Sequence, residues 1–422
     1  MASPTPVLVE SPVWQPPCAF PAWCSPSTSS PFPSTIPVPE GAKITVFARE
    51  VADPDGLDRP FLVYLQGGPG HEAPRPSSGA PSWLPRALRE YRVLMLDQRG
   101  TGRSTPVGTL PGTPAEQAEY LTHFRADSIV RDAEFVRQQL GVEKWSVLGQ
   151  SFGGFCTLAY LSHAPEGLAE AFFTGGLPPI ARHPDEVYTA TFANLIERNR
   201  RYYLRYPGDR ARVEALLPML DDGAVVLPDG SPLTARLFQQ LGYLLGASGG
   251  EEALHYLIER DPKSPAFAHD VASSLPFSAR NPLYSVIHES SYSDGFATRW
   301  SAERVLPDEF RTDRTLFTGE HVFPWLFDDF HGLRPMKETA ELLAAHEWPR
   351  LYDADALREC TVPAAAAIYA NDMYVERVFS EETARLIPTL RPWITSEYEH
   401  NGLRASGDHV LGRLIDLVRG RV

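Results

Sequence analysis

Cysteine is scarce. The four present, Cys18, Cys24, Cys156 and Cys360, form no C-x-x-C pair and belong to no His/Cys cluster at zinc spacing, which argues against a structural metal and for a reducing compartment. No apolar run approaches the ~20 residues of a membrane-crossing helix, and the N-terminus lacks the basic-then-apolar pattern of a secretory signal. A cytoplasmic location without a membrane partner is therefore expected. Positive charge is also short: the formal net charge is −14, with acidic residues spread along the chain, which argues against a nucleic-acid partner and for solubility. Nothing in the composition fixes an oligomeric state. A glycine cluster at a strand end, residues 66–70, lacks the G-K-[ST] ending and the helix start of a phosphate cradle.

What is present is hydrophobic content of 43% in 422 residues, ample for a core. The length suits a main domain with an inserted or appended one. The chain is organised around residues 144–159. Trp145, Val147 and Leu148 read as a buried strand, Gly149 and Gly153 flank Ser151 at G-x-S-x-G spacing, and residues 155–161 continue as an apolar helix. A serine in so tight a strand-to-helix turn needs neighbours without side chains, because the helix starts against the strand it has just left. The turn pushes Oγ out at the carboxyl edge of the sheet. The helix N-terminus behind it favours developing negative charge, and the backbone N–H of Phe152 is placed to donate to an oxyanion. These features make Ser151 a candidate nucleophile.

Residues 1–35 are rich in proline, serine and threonine and read as a flexible head, although Trp14, Phe20 and Trp23 suit docking of part of it on the body. Residues 44–51 alternate as a strand, 60–65 read as a strand buried on both faces, and 91–97 as a third. The second runs into Gln66-Gly67-Gly68-Pro69-Gly70, where the N–H of Gly68 is the candidate second oxyanion donor. Asp97 and Arg99 read as a loop staple beside the site rather than as reacting groups. Residues 114–141 carry a helical period through Ile129, Ala133, Val136 and Leu140, and strand-helix-strand at this spacing implies parallel pairing with a right-handed crossover. After a strand at 169–176 the alternation stops. Residues 180–350, with helical stretches at 193–204 and 237–245, read as an inserted helical cap over the strand ends, where α/β enzymes place their ligands. Strand signals return at 362–370 and 392–398, with helices at 376–387 and 410–418. The expected architecture is an α/β fold, a mostly parallel doubly wound sheet of the hydrolase type. Its core spans 36–179 and 351–422 around a cap at 180–350.

A serine needs a base within hydrogen-bond reach and a carboxylate that fixes the tautomer of that base. In a doubly wound hydrolase the order is serine, acid, histidine. Only His400 and His409 follow Asp372. His400 ends a strand before Asn-Gly and is favoured as the base, while His409 reads as a surface or capping residue with Asp408 near the last helix start. Asp372 directly follows a buried strand. Asp353, Asp355 and Asp416 fall in helical or connecting segments.

Taken together, the motifs QGGPG (66–70), LDQRGTGRS (96–104), GQSFGG (149–154), HESSYSDG (288–295), TGEHVFPW (318–325), YANDMYVE (369–376) and EYEHNGLRAS (397–406) resemble the prolyl aminopeptidase (proline iminopeptidase) family of α/β-hydrolase serine peptidases, and more closely its longer bacterial branch. They span most of the chain from about residue 40, whereas residues 1–35 do not resemble the family's usual start. The resemblance implies release of N-terminal proline from peptide substrates without a cofactor, and supports Ser151, Asp372 and His400 in their roles. An aminopeptidase must also hold a charged amine, which calls for cap carboxylates. Glu289 and Glu320 are the acids inside the two cap motifs, and Tyr292, Phe323 and Trp325 are candidates for a proline-sized pocket. Two other readings use the same residues: a carboxylesterase or other peptidase on the same machinery, and a non-catalytic binding protein of this fold. A dehalogenase or epoxide hydrolase is excluded by serine at the elbow.

Overall fold

A computed structural model describes residues 44–77 and 81–422, together with the backbone of Ser29–Ser30. The rest of the head expected over 1–35, with Trp14, Cys18, Phe20, Trp23 and Cys24, lies outside the described residues. Eight strands form one sheet: β1 (Ser29–Ser30), β2 (Val46–Val51), β3 (Phe61–Leu65), β4 (Arg92–Asp97), β5 (Trp145–Gln150), β6 (Leu168–Thr174), β7 (Ala364–Tyr369) and β8 (Leu390–Thr395). Their spatial order is β1-β2-β4-β3-β5-β6-β7-β8. β1 pairs antiparallel with β2 and β2 antiparallel with β4, and all other neighbours pair parallel. This is the α/β-hydrolase architecture expected from the alternating strand and helix signals. The central strands β3, β5 and β7 are buried along their whole length, because helices cover both faces of the sheet.

The elbow strand β5 lies between β3 and β6, so Ser151 emerges near the middle of the carboxyl edge. The helix Phe152–His163 packs back on the sheet and is buried over nearly its whole length. Cys156 and Cys360 are both buried, free thiols.

The helix expected over 114–141 is interrupted. It forms as Pro114–Leu121 and Ala126–Gln139 around a tight turn at Thr122–Phe124. Arg125 takes an extended ψ of 175° at the break, and its buried guanidinium donates to the carbonyls of Ser293 (2.7 Å) and Pro349 (3.0 Å). A tertiary demand for that cation outweighs the helical period.

Between β6 and β7 the chain runs through a series of helices, the longest being Pro184–Arg205 and Pro207–Asp221. The helix expected at 237–245 forms as one α-helical turn, Ala235–Gln239, tightening into a 3₁₀ segment, Gln240–Gly246. A Cβ on Gly242 would lie 2.2 Å from the carbonyl oxygen of Thr318, so this segment is pressed directly against the loop that carries Glu320.

Candidate active site

Ser151 has φ 54° and ψ −124°, a backbone strain that non-glycine residues sustain only where the surroundings fix them. The fixing contacts are visible. Ser151 N–H donates to Thr174 O at 3.0 Å, and Gly154 N–H donates to Ser151 O at 2.7 Å. A Cβ on Gly153 would stand 1.9 Å from Leu65 O, and one on Gly149 would stand 2.3 Å from Gly153 O. Both glycines of the motif are required by close backbone approach. As first residue of its helix, Phe152 has no acceptor for its N–H within that helix.

His400 and Asp372 meet at the ends of β8 and β7. His400 Nδ1 lies 2.7 Å from Asp372 Oδ2, and Asp372 Oδ1 accepts from the N–H groups of Tyr374 (2.9 Å) and Val375 (3.1 Å). Both side chains are almost wholly buried. Burial alone would lower the His400 pKa, but the Asp372 carboxylate, and behind it Glu320, outweigh it and hold the imidazole above its ordinary value. Ser151 and His400 line one cavity of about 240 Å³, with Gly67, Gly68, Glu320 and Arg404 among its other walls. Gly67 lies against the serine, since a Cβ there would come 2.9 Å from Ser151 Cβ. Gly68 has φ 128°, a conformation open to glycine. Gln98 Nε2 pins this loop by donating to Gln66 O at 3.0 Å.

Glu320 enters the cavity from the helical segment between β6 and β7. Tyr284 Oη donates to its carboxylate, and His288 Nε2 lies 3.1 Å from its carbonyl. Burial raises its pKa to about 7, with Asp372 adding to the rise and His400 and Tyr284 opposing it. His288 is itself held near 4 by burial, so it is neutral and donates from Nε2. His71 also lines the cavity, its ring edge-on to Tyr284 at 4.9 Å, and burial lowers its pKa to about 4.

The family model described as alpha/beta hydrolase fold matches residues 60–213. Proline iminopeptidase from Aeromonas sobria is 48% identical over 393 residues, covering 89% of this chain and 92% of that protein. The chain belongs to the proline iminopeptidase family. Proline iminopeptidase aneH from Aspergillus aculeatus is 36% identical over 411 residues, covering 91% of each chain. Probable proline iminopeptidase from Streptomyces coelicolor matches over a shorter stretch, 37% identical over 31% of this chain and 36% of that protein.

Against this family background, not every residue singled out from sequence reaches the cavity. Glu289 does not. Its carboxylate accepts from Ala302 N–H (2.9 Å) and Ser301 N–H (3.3 Å) at the start of the helix Ser301–Arg304, and it borders a separate pocket with Ser285 and Trp300. Free N–H groups at a helix start attract an anion, and that attraction decides where Glu289 points. Phe323 and Trp325 stack on each other at 5.2 Å, Phe323 buried and Trp325 half-buried under Arg236, and neither lines the cavity. Tyr292 stands behind the cavity wall, its hydroxyl donating to Tyr374 O at 3.1 Å. The aromatic walls are instead Tyr243, Tyr284 and Tyr374.

The rival candidates also have assigned places. Asp353 caps the helix Ala354–Arg358. His409 sits inside the last helix, Gly407–Val418, and its Nδ1 lies 2.9 Å from Tyr398 Oη. Asp408 is not a cap but pairs with Arg89 at 3.0 Å. Asp97 and Arg99 are both staples, though not to each other: Asp97 takes Arg75 (2.6 Å) and the N–H of Arg103 (2.9 Å), while Arg99 binds Asp132 at 2.5 Å in a buried pair.

One residue the sequence reading missed is Arg198, on the helix Pro184–Arg205. Its guanidinium donates to Asn371 O (2.8 Å) and to both oxygens of Glu399, one of them at 2.9 Å. Asn371 and Glu399 are the residues immediately before Asp372 and His400. Asn194, one turn earlier, donates to Asp372 O at 3.2 Å. The available signal was only an Arg-rich helix, and without the fold no spacing links it to two distant loops.

Proposed function

We propose that this chain is a serine aminopeptidase that releases N-terminal proline from peptides through an acyl-enzyme. Ser151 Oγ attacks the prolyl carbonyl while His400 Nε2 takes its proton. Asp372, bonded to Nδ1, fixes the tautomer and favours the imidazolium that forms. The N–H groups of Phe152 and Gly68 receive the oxyanion. The imidazolium then returns its proton to the leaving amine, and water, deprotonated by the same histidine, releases proline.

The observation that carries this reading is a carboxylate, Glu320, in the wall of the same cavity as Ser151 and His400. An acyl ester brings no cation for such a group to bind. A peptide N-terminus does, and an ammonium leaving water needs a charge-assisted partner. Tyr243, Tyr284 and Tyr374 supply apolar ring faces for the pyrrolidine. Glu289 is assigned the helix start described above and takes no part in binding the amine. The test is turnover of a proline arylamide beside acyl esters of similar size: amide cleavage supports the reading, and ester cleavage without it refutes it.

A further inference from the structure

We propose that Arg404 is a specificity residue that takes the free α-carboxylate of the amino acid leaving after the scissile bond, so that the preferred substrates are short peptides, dipeptides foremost. This rests on the aminopeptidase reading and extends it to the far end of the substrate.

Arg404 lies on the short helix Gly402–Ala405, which follows His400 directly, and lines the cavity that holds Ser151, His400 and Glu320. Its backbone is fixed. Arg404 N–H donates to Asn401 O at 2.8 Å, and Ser82 Oγ donates to the carbonyls of Leu403 (3.0 Å) and Arg404 (2.9 Å). Its side chain is exposed, and among the described residues no carboxylate or carbonyl pairs with its guanidinium. Neighbouring arginines are engaged: Arg198 by Glu399, and Arg205 by Glu251 and Glu252. The positive charge of Arg404 is felt inside the cavity, where it works to lower the pKa of both His71 and His400.

The cavity is therefore bipolar, with a carboxylate from the helical region and a guanidinium from the loop beyond His400. A Pro-X dipeptide has the matching charges. Its amine is at one end, and its carboxylate sits one residue past the attacked carbonyl, where successive Cα atoms are about 3.8 Å apart. Guanidinium forks bind carboxylates bidentately, and a free fork at this rim meets that group without first breaking an ion pair. A C-terminal amide offers it no charge. The expected gain from a charge-assisted pair is on the order of tenfold in kcat/KM.

The experiment uses the full chain with Pro-Gly, Pro-Gly-amide and a proline arylamide, comparing the native enzyme with Arg404→Gln and Arg404→Lys. The native ratio of kcat/KM for Pro-Gly over Pro-Gly-amide is expected near tenfold or above. It should fall to about one in Arg404→Gln through a higher KM for Pro-Gly, and take an intermediate value in Arg404→Lys, which keeps the charge without the fork. A native ratio near one overturns the proposal, as does an unchanged ratio in Arg404→Gln. The arylamide, which carries no carboxylate, separates the two levels of inference. If it is cleaved while the ratio is flat, only the role of Arg404 falls; if it is not cleaved, the aminopeptidase reading falls too.

Discussion

Replacing Glu320 by glutamine should make the protein more stable and less active, with the stability gain confined to one side of a pH window. The folded pKa of Glu320 is about 7, against roughly 4.3 in an unfolded chain. The folded state thus holds this proton more tightly, and the unfolded chain binds fewer protons between those two values. Stability therefore falls as pH rises across that interval. At about 1.36 kcal/mol per unit, the full penalty is at most ~4 kcal/mol. It is nearer ~2 kcal/mol because part of the carboxylate faces the open cavity and is screened there. Glutamine keeps an acceptor for Tyr284 Oη and removes the ionisation. Urea unfolding of both proteins at pH 5 and pH 8 should show a small difference at the lower pH and a gain of ~2 kcal/mol for Glu320→Gln at the higher. The same substitution should lower kcat/KM on a proline arylamide by on the order of 10² or more, through loss of a charge-assisted bond to the amine. An equal stability difference at both pH values would refute the electrostatic argument, and unchanged kinetics would refute the amine-binding one.

Ser151→Ala should retain the fold, by circular dichroism, and lose on the order of 10⁴ or more in turnover; labelling by an organophosphonate should vanish with it, and near-native activity would show that the elbow is misassigned. Arg198→Met should cost about 2–3 kcal/mol, below the 3–5 kcal/mol of a fully buried broken pair because the Glu399 side chain is 24% exposed. It should also lower kcat about 10²-fold by loosening the Asp372 and His400 loops, with Arg198→Lys recovering only part; a stability loss without a kcat loss would refute the positioning role. The acid limb of kcat/KM should lie above the ordinary imidazole value of about 6.5, since the His400 pKa is raised and the base must be neutral to accept a proton. A limb below that value would contradict the dominance of Asp372 over burial.

Most of the sheet was legible in the sequence, because period-two alternation and all-apolar runs report burial directly. Expected and observed strand ends differ by about two residues or fewer at β2 to β7, with β8 set earlier, at Leu390–Thr395 rather than 392–398. Helices were read less well where tertiary contacts override the local period. Arg125 breaks one helix to satisfy two distant carbonyls, and Gly242 brings the segment Gln240–Gly246 into backbone contact with Thr318. Neither requirement has a signature within a window of ten residues.

The same distinction separates the parts of the site. Ser151, Asp372 and His400 each end or follow a strand, so their meeting at one sheet edge follows from topology alone. Glu289 and Glu320 had equal standing as acids in cap motifs, and nothing in their own neighbourhoods ranks them. What ranks them is the next helix: Ser301–Arg304 presents free N–H groups that claim Glu289, while the Glu320 carboxylate accepts from Tyr284 and lines the cavity. Arg198 carries the argument further. One guanidinium on the helix Pro184–Arg205 grips the residues just before both Asp372 and His400, and His400 N–H donates to Gly246 O of the same inter-strand region at 3.2 Å. The region between β6 and β7 therefore both supplies a carboxylate to the cavity that Ser151 lines and helps to hold the loops of Asp372 and His400. Exchanging this region for another helical one without carrying over Arg198 and Gly246 would alter the geometry of Asp372 and His400.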